Sequence, residues 1–274
     1  MAVDVTISGW MPIPAEIGAD HIFAIGDVHG MSAHFKALLD AMAAEASDVA
    51  EVVVLGDLID RGPDSIGVVR AAARPAAEHG FARKTVLIGN HELMMLDAMR
   101  PGPAQLRHLG IWNGNGGDAL LRQIGITPHR ADESIAIIEH VIRREVGADA
   151  MAMIENADSH RIVGNLLLVH GGVHPEVPID VWFAKPWPIA KSGDDHFAWV
   201  RRPFLRHQGP FEGDRIVVHG HSPEHKVMEW KHYTPDRAHM LDGWRIGLDG
   251  GSAATGRVVG AEFRSGRYRV YTAA

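Results

Sequence analysis

Along this 274-residue chain, short apolar runs alternate with longer amphipathic stretches. "HIFAIGD" (21–27), "EVVVLGD" (51–57) and "KTVLIGN" (84–90) each carry a brief apolar or β-branched core. Each stops at Gly and a polar residue, which is the pattern of a buried strand. Between them, residues 32–45 and 64–73 have Ala-, Leu- and Val-rich helical spacing, and "ELMMLDAM" (92–99) predicts a third helix. Strand–helix–strand at a period of about 30 residues predicts parallel βαβ units.

Residues 103–161 read as mostly helical, interrupted by a Gly-rich loop, "WNGNGGD" (112–118). Strands resume with "NLLLVHGG" (165–172), "RIVVHGH" (215–221), "HKVMEW" (225–230), "WRIGLDGG" (244–251), "RVVGAEF" (257–263) and "RYRVYT" (267–272). Their close spacing predicts antiparallel or mixed pairing in this half. With no internal repeat and no clean linker, a single domain over 1–274 is expected, with a mainly helical insertion around 93–165.

Composition narrows the function. The chain is 46% hydrophobic and 22% charged, which is ordinary for a globular protein. Its formal charge of −7 is opposite to the basic footprint of a general nucleic-acid binder. No cysteine occurs, so disulfides, thiolate catalysis and Cys-type zinc sites are excluded. No apolar run approaches the roughly 20 residues of a membrane span, and the N-terminal residues lack the basic and apolar regions of a signal peptide. A cytoplasmic protein without nucleic-acid or membrane partners is expected; the sequence leaves its oligomeric state open. The 18 histidines are the one compositional oddity.

Five predicted strands end in Asp, Asn or His: "GDVHG" (26–30), "GDLIDRG" (56–62), "GNHE" (89–92), "HGG" (170–172) and "HGHSP" (219–223). The carboxyl ends of strands in open α/β sheets converge on one crevice. Asp27, His29, Asp57, Asn90, His170 and His221 are therefore expected to face a common space. A buried strand running straight into Asp57, Asp60, Arg61 and Asp64 needs compensating positive charge. Six O and N donors without sulfur suit two divalent ions of the Mn, Fe or Zn type. Two ions about 3.5–4 Å apart need a bridging ligand, and Asp57, central in the set, is the candidate.

The ordered motifs GDxHG, GDxxDRG, GNHE, HGG and GH[ST]P, spanning residues 26 to 223, resemble the phosphoprotein phosphatase (PPP) branch of the calcineurin-like metallophosphoesterases. "WNGNGGDALL" and "FAWVRRPFL" (197–205) are similar to short bacterial serine/threonine phosphatases of that branch. The resemblance implies an α/β fold, a four-layer α/β/β/α sandwich. It assigns Asp27 and His29 to a first metal, Asp57 to the bridge, and Asn90, His170 and His221 to a second metal. It makes His91 the general acid, Asp60 the carboxylate that orients it, and Arg61 a phosphate-binding arginine, with Asn90 beside the phosphate. Arg201 matches a second phosphate-binding arginine, with Arg202 as the competing register. The implied cofactor is a pair of divalent ions, manganese first, with iron or zinc as alternatives.

The chemistry suits these residue types. Water bridging two cations becomes hydroxide near neutral pH and can attack phosphorus in line. An imidazolium held by a carboxylate can protonate the leaving alkoxide, and arginine offers planar, bidentate donors to phosphoryl oxygens. The expected activity is hydrolysis of phosphomonoesters, phosphoserine, phosphothreonine or phosphotyrosine in proteins, or of a small phosphoester. Symmetrical diadenosine tetraphosphatases resemble the same motif set, so dinucleoside polyphosphate hydrolysis is the alternative. Their pattern typically lacks the carboxylate that stands here as Asp60. A non-catalytic metal-binding regulator is the third reading, and it would be expected to have lost a ligand or His91.

Other polar positions have plainer readings. Asn113, Asn115 and Asp118 fit turn or capping roles. His219 would share the strand face of His221 and is expected to pack rather than ligate. Glu92 and the Met94, Met95, Met99 group are expected to be structural, and His21, His79, His140 and His232 to be ordinary surface or core residues.

Overall fold

The first apolar runs are near-continuous because their strands are covered on both faces. The computed structural model describes residues 3–126, 131–186, 193–223 and 240–274. In β3 (His21–Ile25), Phe23 and Ile25 belong to one core, Ile22 and Ala24 to another. In β4 (Ala50–Val54), Val52 and Val54 face the first core and Val53 the second. Each buried side chain of this size contributes on the order of 1.5–3 kcal/mol relative to exposure.

The first core lies under helices. In α1 (Ser32–Ala43), Phe35, Leu38, Leu39 and Met42 are buried at helical spacing. In α2 (Ser65–Ala73), Val68, Val69 and Ala72 are buried, and Asp64 caps the N-terminus by accepting the Gly67 N–H at 2.8 Å. The second core fills the space between two sheets. The first sheet runs β1-β12-β11-β3-β4-β5, with β2 on β12. Its members are β1 (Val5–Ile7), β2 (Met11–Pro12), β5 (Arg83–Val86), β11 (Val258–Arg264) and β12 (Arg267–Ala273), with β3 and β4. Strands β3, β4 and β5 are parallel, as the βαβ spacing predicts.

The second sheet runs β6-β7-β8-β10-β9 and is mixed. It comprises β6 (His160–Val163), β7 (Leu166–Val169), β8 (Ile216–His219), β9 (Met240–Asp242) and β10 (Arg245–Gly247). Strands β7, β8 and β10 are parallel, and β6 and β9 are antiparallel edges. Leu166, Leu168, Ile216 and Val218 face the first sheet, while Leu167, Val169 and Val217 face outward to Trp182, Phe204 and Leu205. Trp182 lies on α8 (Ile179–Phe183), and the other two on α9 (Arg202–Arg206). The layers are therefore helix, sheet, sheet, helix, as expected. A short α10 (Ser252–Thr255) links β10 to β11.

Along the chain, β5 and β6 are joined by α3 (Asn90–Met99), α4 (Gln105–Trp112), α5 (Asp118–Gln123), α6 (Ala131–Val146) and α7 (Ala148–Glu155). The Gly-rich loop expected at 112–118 is instead a π turn, Asn113–Gly117, kinked at Gly116 (φ 105°), that joins α4 to α5. The expected strand at 225–230 and His232 lie outside the described residues. Among the described residues, no helix is long and apolar enough to cross a membrane.

Candidate active site

The parallel strands of both sheets deliver their polar ends to one crevice. Asp27 follows β3, Asp57 follows β4, His170 follows β7 and His221 follows β8. The strand expected to carry Asn90 ends earlier, at Val86, and Asn90 and His91 open α3 instead. All of these, with His29 and Asp60, are at most 4% exposed.

The backbone is bent to bring them together. Five of the six described non-glycine residues at positive φ are site residues: His29 (44°), Asp57 (51°), Asp60 (73°), Arg61 (64°) and His221 (63°). Each such conformation costs on the order of 1–3 kcal/mol and needs support. The Asp57 carbonyl accepts the N–H groups of Val28 (3.0 Å) and His29 (2.9 Å), locking two strand ends. Glu92 accepts the N–H groups of Leu58 (2.8 Å), Asp57 (2.9 Å) and Gly89 (3.1 Å), fastening the Asp57 loop to the start of α3. Gly56 (φ 94°) permits this approach: a Cβ there would lie 2.5 Å from the Gly89 nitrogen.

Three imidazoles are oriented by backbone carbonyls, as metal-ligating histidines commonly are. His29 Nδ1 pairs with Ile59 O (2.7 Å), His170 Nδ1 with Leu55 O (2.8 Å) and His221 Nε2 with Trp199 O (3.1 Å). Each leaves its other nitrogen to the crevice. His29 Nε2 stands 3.7 Å from Asp57 Oδ2 and 3.9 Å from Asp27 Oδ2. His170 Nε2 stands 3.4 Å from Asp57 Oδ1 and 2.9 Å from Asn90 Oδ1. Two groups, His29/Asp57/His91 and Asp57/His170/His221, each bring three ligand atoms within 4.8 Å of one another, and they share Asp57.

The electrostatics fit cations. Burial raises Asp27 well above the usual carboxylate range, and the Asp249 and Asp57 carboxylates add to this. Burial would also raise Asp57, but His170 and His91 outweigh it and hold Asp57 well below that range. Burial, with His91 and Arg61 adding to it, lowers His29 to about 3, leaving a neutral imidazole with a lone pair for a metal. Five buried carboxylates, Asp27, Asp57, Asp60, Asp249 and Glu92, share the region. Divalent ions would neutralise what the protein's own cations balance only in part. The donor set therefore fits a pair of divalent ions.

Beside this set lies a second constellation. His91 Nδ1 pairs with Asp60 Oδ2 at 2.6 Å. Arg61 donates from one terminal nitrogen to His29 Nε2 (2.7 Å) and from the other to His91 Nε2 (2.8 Å). Arg201 reaches in from the opposite side and donates to His221 O at 2.9 Å. It is part-buried beside His221, whereas Arg202 is exposed.

Two neighbours of the site are missed by motif reading. Asp249, after β10, is buried against the Asp27 carboxyl and accepts the Gly251 N–H at 2.9 Å. A local signal is present, because "LDGG" (248–251) ends a strand in a polar residue followed by two glycines, as "VHGG" (169–172) does. Trp112 donates its indole N–H to Asp60 Oδ2 at 2.8 Å, a contact with no sequence signature. His219 differs from expectation in direction. Strand β8 ends at His219, and the left-handed turn at His221 swings that residue into the site while His219 packs edge-on to Phe204. Asn115 bonds Ile111 O and Asp118 pairs with Arg122, both within the helical segment. Met94, Met95 and Met99 are core residues.

Fold and site together define a metallophosphoesterase. The chain belongs to the calcineurin-like phosphoesterase family, whose sequence pattern it matches over residues 21–246; the family uses a dinuclear metal site, and the chain is a hydrolase of this type. It is 36% identical over 212 residues to serine/threonine-protein phosphatase 1 of Salmonella typhimurium, covering 77% of this chain and 82% of that one. It is also 31% identical over 160 residues to a symmetrical bis(5'-nucleosyl)-tetraphosphatase of Paracidovorax citrulli, covering 58% of this chain and 46% of that one. A crystal structure described as a putative diadenosine tetraphosphatase shares the fold, with a TM-score of 0.52, 21% identity and coverage of 94% of this chain and 95% of that one.

Proposed function

We propose that this chain, acting as one domain, hydrolyses phosphomonoesters, with phosphoserine and phosphothreonine side chains of proteins as the substrate class. The observation that carries this reading is the buried pair of His91 and Asp60 at 2.6 Å. A serine or threonine alkoxide is strongly basic and needs a proton to leave, and a histidine backed by a carboxylate is built to supply one. A phosphate leaving group is far less basic and has little use for such a pair.

Two divalent ions, manganese first, held by Asp27, His29, Asp57, Asn90, His170 and His221, would supply an activated water and neutralise charge on the phosphoryl group. The remaining steps belong to side chains. Arg61 and Arg201, on opposite sides of the crevice, take the phosphoryl oxygens, with Asn90 beside them. As Arg61 transfers its donors from His91 to the substrate, His91 Nε2 becomes free to carry a proton. Asp60 holds the imidazolium through Nδ1, and His91 passes the Nε2 proton to the leaving oxygen.

The second reading, hydrolysis of dinucleoside polyphosphates, draws on the tetraphosphatase-named relatives. One comparison separates the two: kcat/KM of manganese-loaded protein on phosphoserine and phosphothreonine peptides against diadenosine tetraphosphate. A preference of tenfold or more for the peptides is expected; the reverse preference would transfer the chain to the second reading.

A further inference from the structure

The last residue of α4 and the turn that follows it hold Asp60 and Arg61, two residues at positive φ. Trp112 is wholly buried. Its indole N–H donates to Asp60 Oδ2 at 2.8 Å, the same oxygen that receives His91 Nδ1. Asp60 Oδ1 is buried and without a hydrogen-bond partner among the described residues. The carboxylate is therefore aimed through a single oxygen, by Trp112 on one side and His91 on the other. The same turn holds the next residue: Gly116 O accepts the Arg61 N–H (3.1 Å) and Asn115 O accepts Arg61 Nε–H (3.3 Å). Gly117 lies flat against the indole, where a Cβ would come within 2.5 Å of the ring.

The chemistry of the donor matters. An indole N–H donates and cannot accept, so it fixes Asp60 without competing for the His91 proton, as a hydroxyl could. The contact also has no packing alternative, because Asp60 sits in a fully buried position where its carboxylate cannot turn to water.

We propose that Trp112 is a positioning residue for the reaction: its indole N–H holds the Asp60 carboxylate on line with His91 Nδ1 and so sets how effectively His91 protonates a basic leaving group. This inference rests on the reading of His91 as the general acid.

The test uses the metal-loaded full chain and two variants that lack the donor. Trp112→Phe keeps an aromatic ring. Replacement of Trp112 by 3-benzothienylalanine keeps the shape of the indole and covers the case in which Phe impairs folding. With His91→Asn as reference, kcat and KM are measured on phosphoserine peptide and on p-nitrophenyl phosphate, with metal content determined for each protein. The expected result is a loss of roughly tenfold in kcat on the peptide, a fraction of the 10²–10⁴ that acid–base catalysis is worth. On the nitrophenyl ester the loss should stay below about twofold, with KM and metal content unchanged. Equal losses on both substrates, or none, in the Trp112 variants while His91→Asn keeps its leaving-group bias would overturn the role of Trp112 alone. Absence of the bias in His91→Asn would overturn the general-acid reading, and this inference with it.

Discussion

Glu92 Oε2 accepts the backbone N–H of Asp57 at 2.9 Å, so a carboxylate in the first turn of α3 holds the positive-φ residue that both candidate metal-ligand groups share. Its other oxygen takes the Leu58 N–H at 2.8 Å, and Oε2 also takes that of Gly89. Burial and the nearby Asp57 push Glu92 up to about 7, so this arrangement is costly and must return its cost through those donors. Glu92→Gln keeps the size but turns an NH₂ group toward backbone N–H groups. It should destabilise the fold by roughly 1–3 kcal/mol, the cost of leaving a buried donor unpaired. Urea denaturation measures this, and an unchanged midpoint would show that the staple contributes nothing.

Asp57 divides its two oxygens between His170 (3.4 Å) and His29 (3.7 Å), which is the geometry a bridging ligand needs. Asp57→Asn should lower the occupancy of both metal positions together, and elemental analysis after dialysis reads this directly. Loss of only one metal equivalent would assign Asp57 to a single ion. Chelation of the wild-type protein should abolish turnover, and manganese should restore it.

Much of this site is legible in the sequence because strand endings are local signals. Ile22/Ala24 and Phe23/Ile25 alternate because two cores sandwich β3, and the Gly that follows announces where the chain turns toward the crevice. What is not legible depends on distant partners. Strand β1 is three residues long and exists because Val5–Ile7 pairs with Tyr271–Ala273 at the far end of the chain. Strand β6 is the antiparallel edge that folds back on β7 around Gly164, and its mixed His-Arg-Ile-Val sequence carries no alternation of its own. The run "NGNGG" reads as a loop on composition, yet its carbonyls hold Arg61 and keep it wound as a π turn. Asp249 is the opposite case, a local signal of polar residue and glycines after a strand that lies outside the five-motif pattern.

Glu262 provides a pH test away from the metals. It is 1% exposed and accepts from His21 (2.8 Å), Tyr271 (2.9 Å) and Arg269 (2.6 Å). Burial alone would raise it, but these hydrogen bonds outweigh burial and pull it to about 2 from an ordinary 4.5. A carboxyl depressed in the folded state stabilises fully above its unfolded value and loses that contribution as pH falls through its folded value. The contribution should therefore fade between about pH 4.5 and pH 2. Glu262→Gln should cost roughly 2–3 kcal/mol at pH 7 and flatten the stability profile across that window. Denaturant melts at pH 7, 4.5 and 3 would decide it, and parallel wild-type and mutant profiles would count against the network.

The final prediction concerns how Asp60 acts. Its carboxylate bonds His91 and Trp112 and none of the side chains proposed to hold the metals, so its effect on the reaction is expected to pass through His91. His91→Asn should retain both metals and lose roughly 10²–10⁴-fold in kcat on phosphoserine peptide. Asp60→Asn should lose less, because the imidazole remains and only its orientation and charge support are gone. Groups that act as a unit are non-additive. The double variant should therefore be no slower than His91→Asn alone, a ratio within about twofold rather than the product of the two losses. Multiplied losses would instead mean that Asp60 has a second route to the reacting atoms, such as holding Arg61 in place through the shared backbone turn. Single-turnover rates of the four proteins at saturating manganese separate these cases, because chemistry is then read without product release.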